Sequence, residues 1–508
     1  MRGSTLIVIA GLSALLGSAC ASGATSTSSS DQKLVWAWNF APTAAWALET
    51  DDASYLTQAG VIEPLVRVGV DGSLGPGLAT SWKRVDPTTW DFTLRHGVKF
   101  QDGTKFGAAA AVNSLNYVLQ SKTPPRALKP TDLTSVQATA SDTVRIQTAA
   151  PNPLVPIELS TAQSSILSSA AYLGGGKINP INTGTGPFVM TASNLPQSIT
   201  LKANTSYWGG SVKLSSAEVR YIPDGQTRVS LVQTGEVHLA STLPAALVPT
   251  LKSNSKLTIL NQSIPRFGAV YINNKRAPFT DVRVRQAIQA AIDVNAIANN
   301  VLQGADTPAG GPFRKGDVWA PSNSSVISQD VSKAKSMLDA AGVNPAKLNI
   351  TILAYSDRPE LPLVATAVQG MLSSIGINAK TKVASYDALE PDMLSGNYDL
   401  AIVSRNYLFY APDPLSFLES DYTCSGNYNI SQFCDPAVDA EIARAKTVDD
   451  PKARFAIYSQ IADNLQKNAV DVFVFHQLEI EAVSKKLQGF QIYGTEEYYL
   501  TQGMWFSG

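Results

Sequence analysis

Apolar residues recur at helical spacing in the segment that follows Asp281. These positions fall on one face of a helix: Val284, Ala287, Ile288, Ala291 and Ile292. The short carboxylate of Asp281 can accept hydrogen bonds from the free N–H groups of a first turn, which is the role of a helix cap. The pattern therefore predicts one amphipathic helix that packs on a hydrophobic core.

Alternating apolar and polar residues predict paired strands in the first third of the chain. Residues 61–82 alternate around Asp71-Gly72, a dipeptide typical of a hairpin turn. Residues 88–112 predict a strand, a turn at Gly97, a second strand, a turn at Asp102-Gly103 and a helix. Later segments combine helices, glycine stops and strands. A mixed α/β protein is the fold class that these patterns indicate.

The N-terminal residues predict export. Arg2 precedes an apolar stretch, Leu6–Leu16, which is about half of the ~20 residues needed to span a bilayer, so it indicates a signal peptide. Small residues before Cys20 resemble the lipobox of bacterial lipoproteins, in which the cysteine is acylated and becomes the mature N-terminus. Gly17 departs from that motif, and ordinary cleavage near Ala19 or Ala21 is the alternative. A polar segment rich in serine and alanine follows and predicts a flexible tether.

Composition indicates a globular protein with more than one lobe. The chain has 508 residues, 44% of them hydrophobic and 16% charged, and a net charge of −1 without basic runs. This balance does not suggest a nucleic-acid partner. Besides Cys20 there are only Cys424 and Cys434, and a close pair in an exported protein predicts a disulfide. A metal site there lacks nearby histidines.

The sequence carries no motif of the common hydrolases. H-E-x-x-H, G-x-S-x-G, Walker A and C-x-x-C patterns are absent. Paired-acid glycosidase chemistry stays open, because scattered carboxylates cannot be sorted by spacing alone. A structural or adhesive surface protein would favour internal repeats, and the sequence has none.

Several motifs together resemble those of the family 5 solute-binding proteins, the peptide- and nickel-type receptors of ABC importers. The matching segments are YINNKRAPFTDVRVRQAI at residues 271–288, WDFTLRHGVKFQDGTKFGA at residues 90–108, TGTGPF at residues 183–188, ANTSYWGG at residues 203–210 and KAKSMLDAAGV at residues 333–343. The resemblance covers about residues 34–508.

The resemblance implies a two-lobed α/β fold of the periplasmic-binding-protein type, class II, with an extra subdomain in lobe one. The expected domains are a lipoprotein signal peptide (residues 1–20), a tether (21–32), lobe one (33–265 and 477–508) and lobe two (266–476). It also implies a monomeric receptor, lipid-anchored outside the cytoplasm, which captures a peptide-like solute by lobe closure and works with permease and ATPase subunits. A receptor for another small solute, or a lipid-anchored hydrolase, is the alternative. No catalytic residue, cofactor or metal is expected.

In this architecture the solute lies between the lobes and meets loops from both. The expected contacts are Trp38, Asn39, Phe40, Trp46, Tyr355, Arg405, Asn406, Tyr407, Tyr410 and Asp413. Arg405 is expected to bind a carboxylate through its planar guanidinium. Peptide receptors of the family commonly hold an aspartate where this chain has Tyr410. We therefore expect a blocked, cyclic or non-peptide solute, or an amine held from another angle by Asp413 or Glu49.

Overall fold

The computed structural model describes residues 32–125, 127–174, 177–409 and 411–508. The expected signal peptide with Cys20, all of the expected tether except Gln32, and Tyr410 lie outside the described residues.

The described chain contains both strands and helices throughout its length. The strands are β1 (Lys33–Trp38), β2 (Val66–Val68), β3 (Leu74–Pro76), β4 (Ala79–Asp86), β5 (Thr89–Leu94), β6 (Leu133–Ala140), β7 (Thr143–Thr148), β8 (Tyr172–Gly174), β9 (Lys177–Ile178), β10 (Phe188–Asn194), β11 (Ser198–Ala203), β12 (Ser216–Tyr221), β13 (Leu239–Ala240), β14 (Leu257–Ile272), β15 (Thr307–Pro308), β16 (Asn349–Tyr355), β17 (Asn378–Ala384), β18 (Leu400–Asn406), β19 (Asp471–Ser484), β20 (Leu487–Gln488) and β21 (Trp505–Phe506). The α-helices are α1 (Asp52–Gln58), α2 (Ala108–Leu119), α3 (Val155–Glu158), α4 (Gly225–Thr234), α5 (Val248–Lys252), α6 (Val282–Ala291), α7 (Val294–Ala296), α8 (Val331–Ala340), α9 (Glu360–Ser374), α10 (Tyr386–Leu394), α11 (Leu415–Tyr422), α12 (Pro436–Thr447) and α13 (Pro451–Lys467).

One long sheet runs through both halves of the molecule. Its order is β10-β11-β12-β1-β13-β19-β14-β18-β16-β17, with β15 paired to β19. β14 and β19 lie side by side in antiparallel register at its centre, so they cross from one half to the other. A separate four-stranded sheet, β4-β5-β7-β6, forms with α2 a smaller unit attached to the first half.

The hydrophobic side chains form two large cores. One core contains residues from Leu34 to Leu239 together with residues from Val483 to Phe506. The other contains residues from Phe267 to Phe475 and one residue from the first half, Leu154. The two crossing strands therefore connect two bodies that each bury their own apolar surface.

The local predictions agree with the structure at most elements. Asp281 caps α6 by accepting a hydrogen bond from the Arg283 N–H at 2.8 Å. β2 and β3 form the hairpin around Gly72, whose φ of +81° lies in the left-handed region that favours glycine. The second strand expected after Gly97 is reduced to one bridge, between Lys99 and Lys105.

Two glycines of the TGTGPF segment permit a close approach between backbones. A Cβ atom on Gly184 would lie 2.0 Å from the Val61 carbonyl oxygen, and one on Gly186 would lie 2.2 Å from that of Gly60. This contact leads the chain into β10 and back to the long sheet. The segment is therefore a structural turn.

Candidate functional site

Aromatic side chains cluster at the carboxyl end of β1, beside the crossing strands. Trp36 and Trp38 are two residues apart and therefore lie on the same face of β1. The centre of the Tyr499 ring lies 4.9 Å from that of Trp36 and 4.7 Å from that of Trp38. Trp36 donates its indole N–H to the Ser241 hydroxyl at 2.7 Å. The indole N–H of Trp38 is buried and has no hydrogen-bond partner among the described residues. Such a group is costly unless another molecule accepts its hydrogen bond.

The loop after β1 meets a loop that follows β16. Asn39 is 4% exposed, and within the described chain neither end of its amide is hydrogen-bonded. Phe40 lies against the guanidinium of Arg358, 5.5 Å from the ring centre. The two loops follow strands of different cores, so they bring Phe40 and Arg358 together across the boundary between the cores.

β19 carries polar side chains at alternate positions where it passes between the cores. Gln477, Glu479 and Glu481 are all buried, and both glutamates are 0% exposed. Arg358 donates to the Gln477 side-chain oxygen at 3.3 Å. Thr242 and Ser241 lie close to Glu479 and Glu481 respectively and favour their ionised forms. Even so, none of the four carboxylate oxygens completes a hydrogen bond with the described chain.

Glu496 joins the C-terminal segment to the strands of lobe two. Its carboxylate accepts hydrogen bonds from Arg266 at 2.8 Å and from Asn406 at 2.5 Å. Burial disfavours its ionised form, but Arg266 and Arg358 outweigh burial and lower the pKa of Glu496 below its ordinary value. Glu496 is therefore an ionised, paired carboxylate.

The pKa values of Glu479 and Glu481 are raised, in contrast to that of Glu496. Burial raises the pKa of Glu479, the nearby Glu496 charge adds to that rise, and Arg358 reduces it in part. Burial likewise raises the pKa of Glu481 well above its ordinary value, and Glu479 adds to the effect. These carboxyls resist ionisation because they lack the partners that Glu496 has.

A cavity of about 100 Å³ lies between the two bodies beside β19. Its wall combines the loop after β13, the turn before β15, the start of α9 and residues 477–480 of β19. Three carboxyl side chains contribute to this wall: Asp306, Glu360 and Glu479. Burial raises the pKa of Asp306 to about 7, although the Leu478 N–H donates to its carboxylate.

Two aromatic candidates already have partners inside their own lobe. Trp46 packs in the first core and donates its indole N–H to Ser193 at 3.1 Å. Tyr355 lies in the second core, where its hydroxyl accepts from the Ser404 N–H at 3.0 Å. Both residues support the loops that carry the site, and ligand contact by either stays a prediction.

The Arg405 guanidinium is engaged by a carboxylate of lobe two. It donates to both oxygens of Asp421 at 2.7 Å and 2.8 Å, and it lies 4.3 Å from the ring centre of Tyr428. The sequence predicted that Arg405 binds a ligand carboxylate, and its pairing with Asp421 uses two of the five N–H donors of the guanidinium. Its role as a ligand contact therefore stays a prediction.

Tyr407 and Asp413 are likewise held within lobe two. The Tyr407 hydroxyl donates to Asp317 and accepts from Arg314 at 3.2 Å. Asp413 accepts from Tyr458 at 2.7 Å and lies 3.3 Å from Arg454. The charge of Asp413 is thus matched inside the lobe, which leaves it poorly placed to replace the missing amine-binding aspartate.

Cys424 and Cys434 form a disulfide, as the sequence predicted. The loop that it closes contains Tyr428, whose ring lies against Arg405. The disulfide therefore adjoins the segment that the sequence assigned to ligand contact.

Sequence reasoning missed the polar residues of β19 and of the C-terminal segment. We call the following set the inter-lobe cluster: Arg266, Arg358, Asn406, Gln477, Glu479, Glu481, Glu496 and Tyr499. One signal was present, since HQLEIEA places polar residues at alternate positions of a strand that is otherwise apolar. Only the fold shows that this face lies between two lobes.

A model of a known protein family matches most of the chain. The family is described as bacterial extracellular solute-binding proteins, family 5, and the match spans residues 73–429. Similar curated proteins include the probable D,D-dipeptide-binding periplasmic protein of Escherichia coli, 26% identical over 87% of this chain and 88% of that protein. The periplasmic murein peptide-binding protein of the same organism is 25% identical over 88% of this chain and 87% of that protein.

Solved structures have the same two-lobed fold. NikA from Staphylococcus aureus, in complex with Ni(L-His)2, gives a TM-score of 0.84 at 22% identity, covering 94% of this chain and 100% of that one. DppA from Helicobacter pylori, in complex with the peptide STSA, gives a TM-score of 0.83 at 24% identity, covering 93% of this chain and 98% of that one. The expected fold class is confirmed, and the chain belongs to family 5 of the bacterial extracellular solute-binding proteins.

Proposed function

We propose that the protein is a lipid-anchored receptor that captures a peptide or peptide-like solute between its lobes and delivers it to the permease of an ABC importer. The observation that carries this proposal is the set of buried, unpaired polar groups between the two cores. Trp38, Asn39 and Glu479 come from different segments and converge there without hydrogen-bond partners in the described chain. A solute that supplied those partners would explain why they are buried.

The proposed lobes are residues 33–265 with 477–508, and residues 266–476. The two hydrophobic cores divide the chain close to these limits. In the mechanism, the solute adds contacts that exist only when the lobes are shut, and it thereby shifts the population towards the closed state. Lobe closure is a conformational change of the protein and requires no chemical reaction of the solute.

Trp38, Asn39 and Phe40 are the proposed contacts from lobe one, and Asn406 is one from lobe two. Arg358 joins them because it touches Phe40 and Gln477 at the boundary. Trp46, Tyr355, Arg405, Tyr407 and Asp413 would then hold these loops in place from behind, through the partners described above.

The peptide assignment draws on the relatives. Two curated relatives are named for the binding of a D,D-dipeptide and of a murein peptide. A non-peptide solute is the second candidate, because the similar structures include AgaA in complex with agropinic acid. The family consists of receptors, which makes a lipid-anchored hydrolase the weaker alternative.

The anchor and the partners complete the proposal. Cys20 would carry the lipid, and the tether would separate it from lobe one. Within the described residues the helices are too short or too polar to cross a membrane. The receptor would act as a monomer that presents its closed form to permease and ATPase subunits, without a cofactor or metal of its own.

The test combines binding with a search for turnover. Purified protein would be incubated with pools of di- and tripeptides and examined by native mass spectrometry, with solution scattering on the retained complex. We expect retention of an unmodified peptide and a smaller radius of gyration on binding. Retention of a non-peptide alone would favour the second candidate, and conversion of the solute over hours would place the protein among enzymes.

A further inference from the structure

We infer that the solute carries a positively charged group, an ammonium or a guanidinium, and that this group is bound against Glu479 and Glu481 at the inter-lobe cluster. This inference rests on the proposed function and names the charge of its solute. The amine would be held from the crossing strand, at a place that the sequence motif did not indicate.

The first step concerns the balance of charge around β19. The buried or half-buried carboxyl groups near the cavity are Asp306, Glu360, Glu479, Glu481 and Glu496. The guanidinium groups that act on them are Arg228, Arg266 and Arg358. Carboxyls therefore outnumber guanidiniums by five to three, so the region would carry a net negative charge if all of these carboxyls were ionised.

The second step identifies the carboxyl groups that have no guanidinium partner. Arg266 is bound to Glu496 at 2.8 Å. Arg228 donates its N–H groups to backbone carbonyls, among them those of Ser241 and Thr242. The guanidiniums thus make no hydrogen bond to Glu479 or Glu481, whose four oxygens stay unpaired in the described chain.

The third step is an independent feature at the same place. Tyr499 is 3% exposed, and its hydroxyl has no hydrogen-bond partner in the described chain. Burial is the largest cause that raises the pKa of this hydroxyl well above its ordinary value. The charges of Glu481, Glu479 and Glu496 raise it further. The hydroxyl is therefore close enough to these carboxyls to sense their charge. The rings of Trp36, Trp38 and Tyr499 stand within 5.0 Å of one another.

Carboxylates beside aromatic rings and an unused hydroxyl form a suitable environment for an organic cation. The carboxylates supply charge-assisted hydrogen bonds, and aromatic faces attract a cation through their quadrupoles. Without the cation, Glu479 and Glu481 retain protons because ionised carboxylates would be buried without partners. Binding of the cation would replace those protons, so it would release them to solution.

A pH dependence follows from this exchange. Burial raises the pKa of Glu479 and Glu481, and Arg228, Arg266 and Arg358 offset this only in part. A permanently charged cation should therefore bind more tightly as the pH rises from about 6 to about 8, and the gain should stop once the carboxyls are ionised without ligand. A neutral analogue should lack this dependence.

The experiment compares tripeptides that have a free α-amino group, the same tripeptides with acetylated N-termini, and agmatine. Calorimetry on the full mature protein would measure affinity at pH 6 and pH 7, where the α-amino group of a peptide stays mostly protonated, in two buffers of different ionisation enthalpy to count released protons. We expect the free-amine peptides to bind, with proton release and with tighter binding at pH 7. Glu479→Gln should weaken them about tenfold to a hundredfold, the scale of a charge-assisted hydrogen bond.

Glu497→Gln is the matched control. Glu497 is 5% exposed, it also lacks hydrogen bonds in the described chain, and burial raises its pKa to about 8. Its charged neighbour is Arg67 rather than the inter-lobe cluster. This variant should bind like the wild type, and the proton count on wild-type protein provides a second readout if Glu479→Gln does not fold.

The outcomes separate the two proposals. Equal binding of free and acetylated peptides, without proton release, would overturn the cation inference and leave the peptide receptor standing. Binding of agmatine without any peptide would support the cation and contradict the peptide assignment. Binding of nothing in the panel would count against both.

Discussion

Lys446 on α12 connects the two lobes through carboxylates on each side. Its ammonium lies 2.5 Å from Asp132, in the small sheet unit of lobe one, and 3.3 Å from Glu419 on α11 of lobe two. Glu419 in turn lies 2.9 Å from Lys129 of lobe one. Because these pairs cross the proposed lobe boundary, we expect them to break when the lobes open. We predict that Lys446→Met shifts the protein towards the open state.

The exposure of the charged groups sets the magnitude. The side chains of Lys446, Asp132 and Glu419 are 21%, 25% and 24% exposed, which places the pairs between surface and buried ion pairs. Burial disfavours the Lys446 charge, but Glu419 and Asp132 outweigh it and raise the pKa of Lys446. Such contacts are worth about 1–2 kcal/mol, between a surface pair and a charge-assisted hydrogen bond. Affinity for the solute should fall about fivefold to thirtyfold.

The assay measures the distance between the lobes. Spin labels at Lys83 in lobe one and Lys335 in lobe two, both exposed, would report the open and closed populations by pulsed electron resonance. Lys467→Met is the control, because Lys467 is 74% exposed and its ion pair among the described residues is with Asp463 on its own helix. Identical distance distributions for wild type and Lys446→Met, at low and at high salt, would refute the reasoning.

Three further predictions concern the anchor, the disulfide and one buried acid. Cys20→Ala should abolish incorporation of radiolabelled fatty acid and release the protein from the membrane, and undiminished incorporation would contradict the anchor. Non-reduced peptide mapping should show Cys424 joined to Cys434, and replacing both by serine should lower the free energy of unfolding by roughly 3 kcal/mol in the chain-entropy model; two freely alkylated native thiols would contradict this. Burial raises the pKa of Glu158 from 4.5 to about 7. The contribution of protonated Glu158 to the free energy of unfolding therefore falls as the pH rises between those values. Glu158→Gln should remove that fall in denaturation experiments between pH 5 and pH 8, and an unchanged slope would count against it.

Local structure was predictable wherever the decisive residues are close in sequence. Asp281 and the apolar spacing after it determine α6, and Asp435 with Pro436 determines the start of α12. The strand expected around Val98 was overestimated, because in the described part of the chain this segment forms a single bridge, between Lys99 and Lys105. A strand needs a neighbour, and the sequence does not specify where that neighbour lies.

The partners of the site residues were harder to predict because they come from distant segments. Nothing near Arg405 indicates that Asp421 on α11 will hold its guanidinium, and nothing near Asp413 indicates Tyr458. The meeting of Phe40 with Arg358 depends on β1 and β16, which run in opposite directions and whose carboxyl ends face each other where the two halves of the sheet join. Charge pairing is a property of the assembled fold, and the sequence alone could name candidate residues but not their partners.

The ion pairs of Lys446 and the buried carboxyls of β19 have opposite effects on lobe closure. The Lys446 pairs favour the closed state whether or not solute is present. Closing without solute leaves Glu479, Glu481 and the Trp38 indole buried and unpaired in the described chain, at a cost of about 1–3 kcal/mol for each group. The empty receptor is therefore biased towards the open state, and a solute that pairs these groups removes the cost. On this reasoning the unpaired groups are what make closure depend on solute, so that a permease which recognises the closed form would meet mainly loaded receptors.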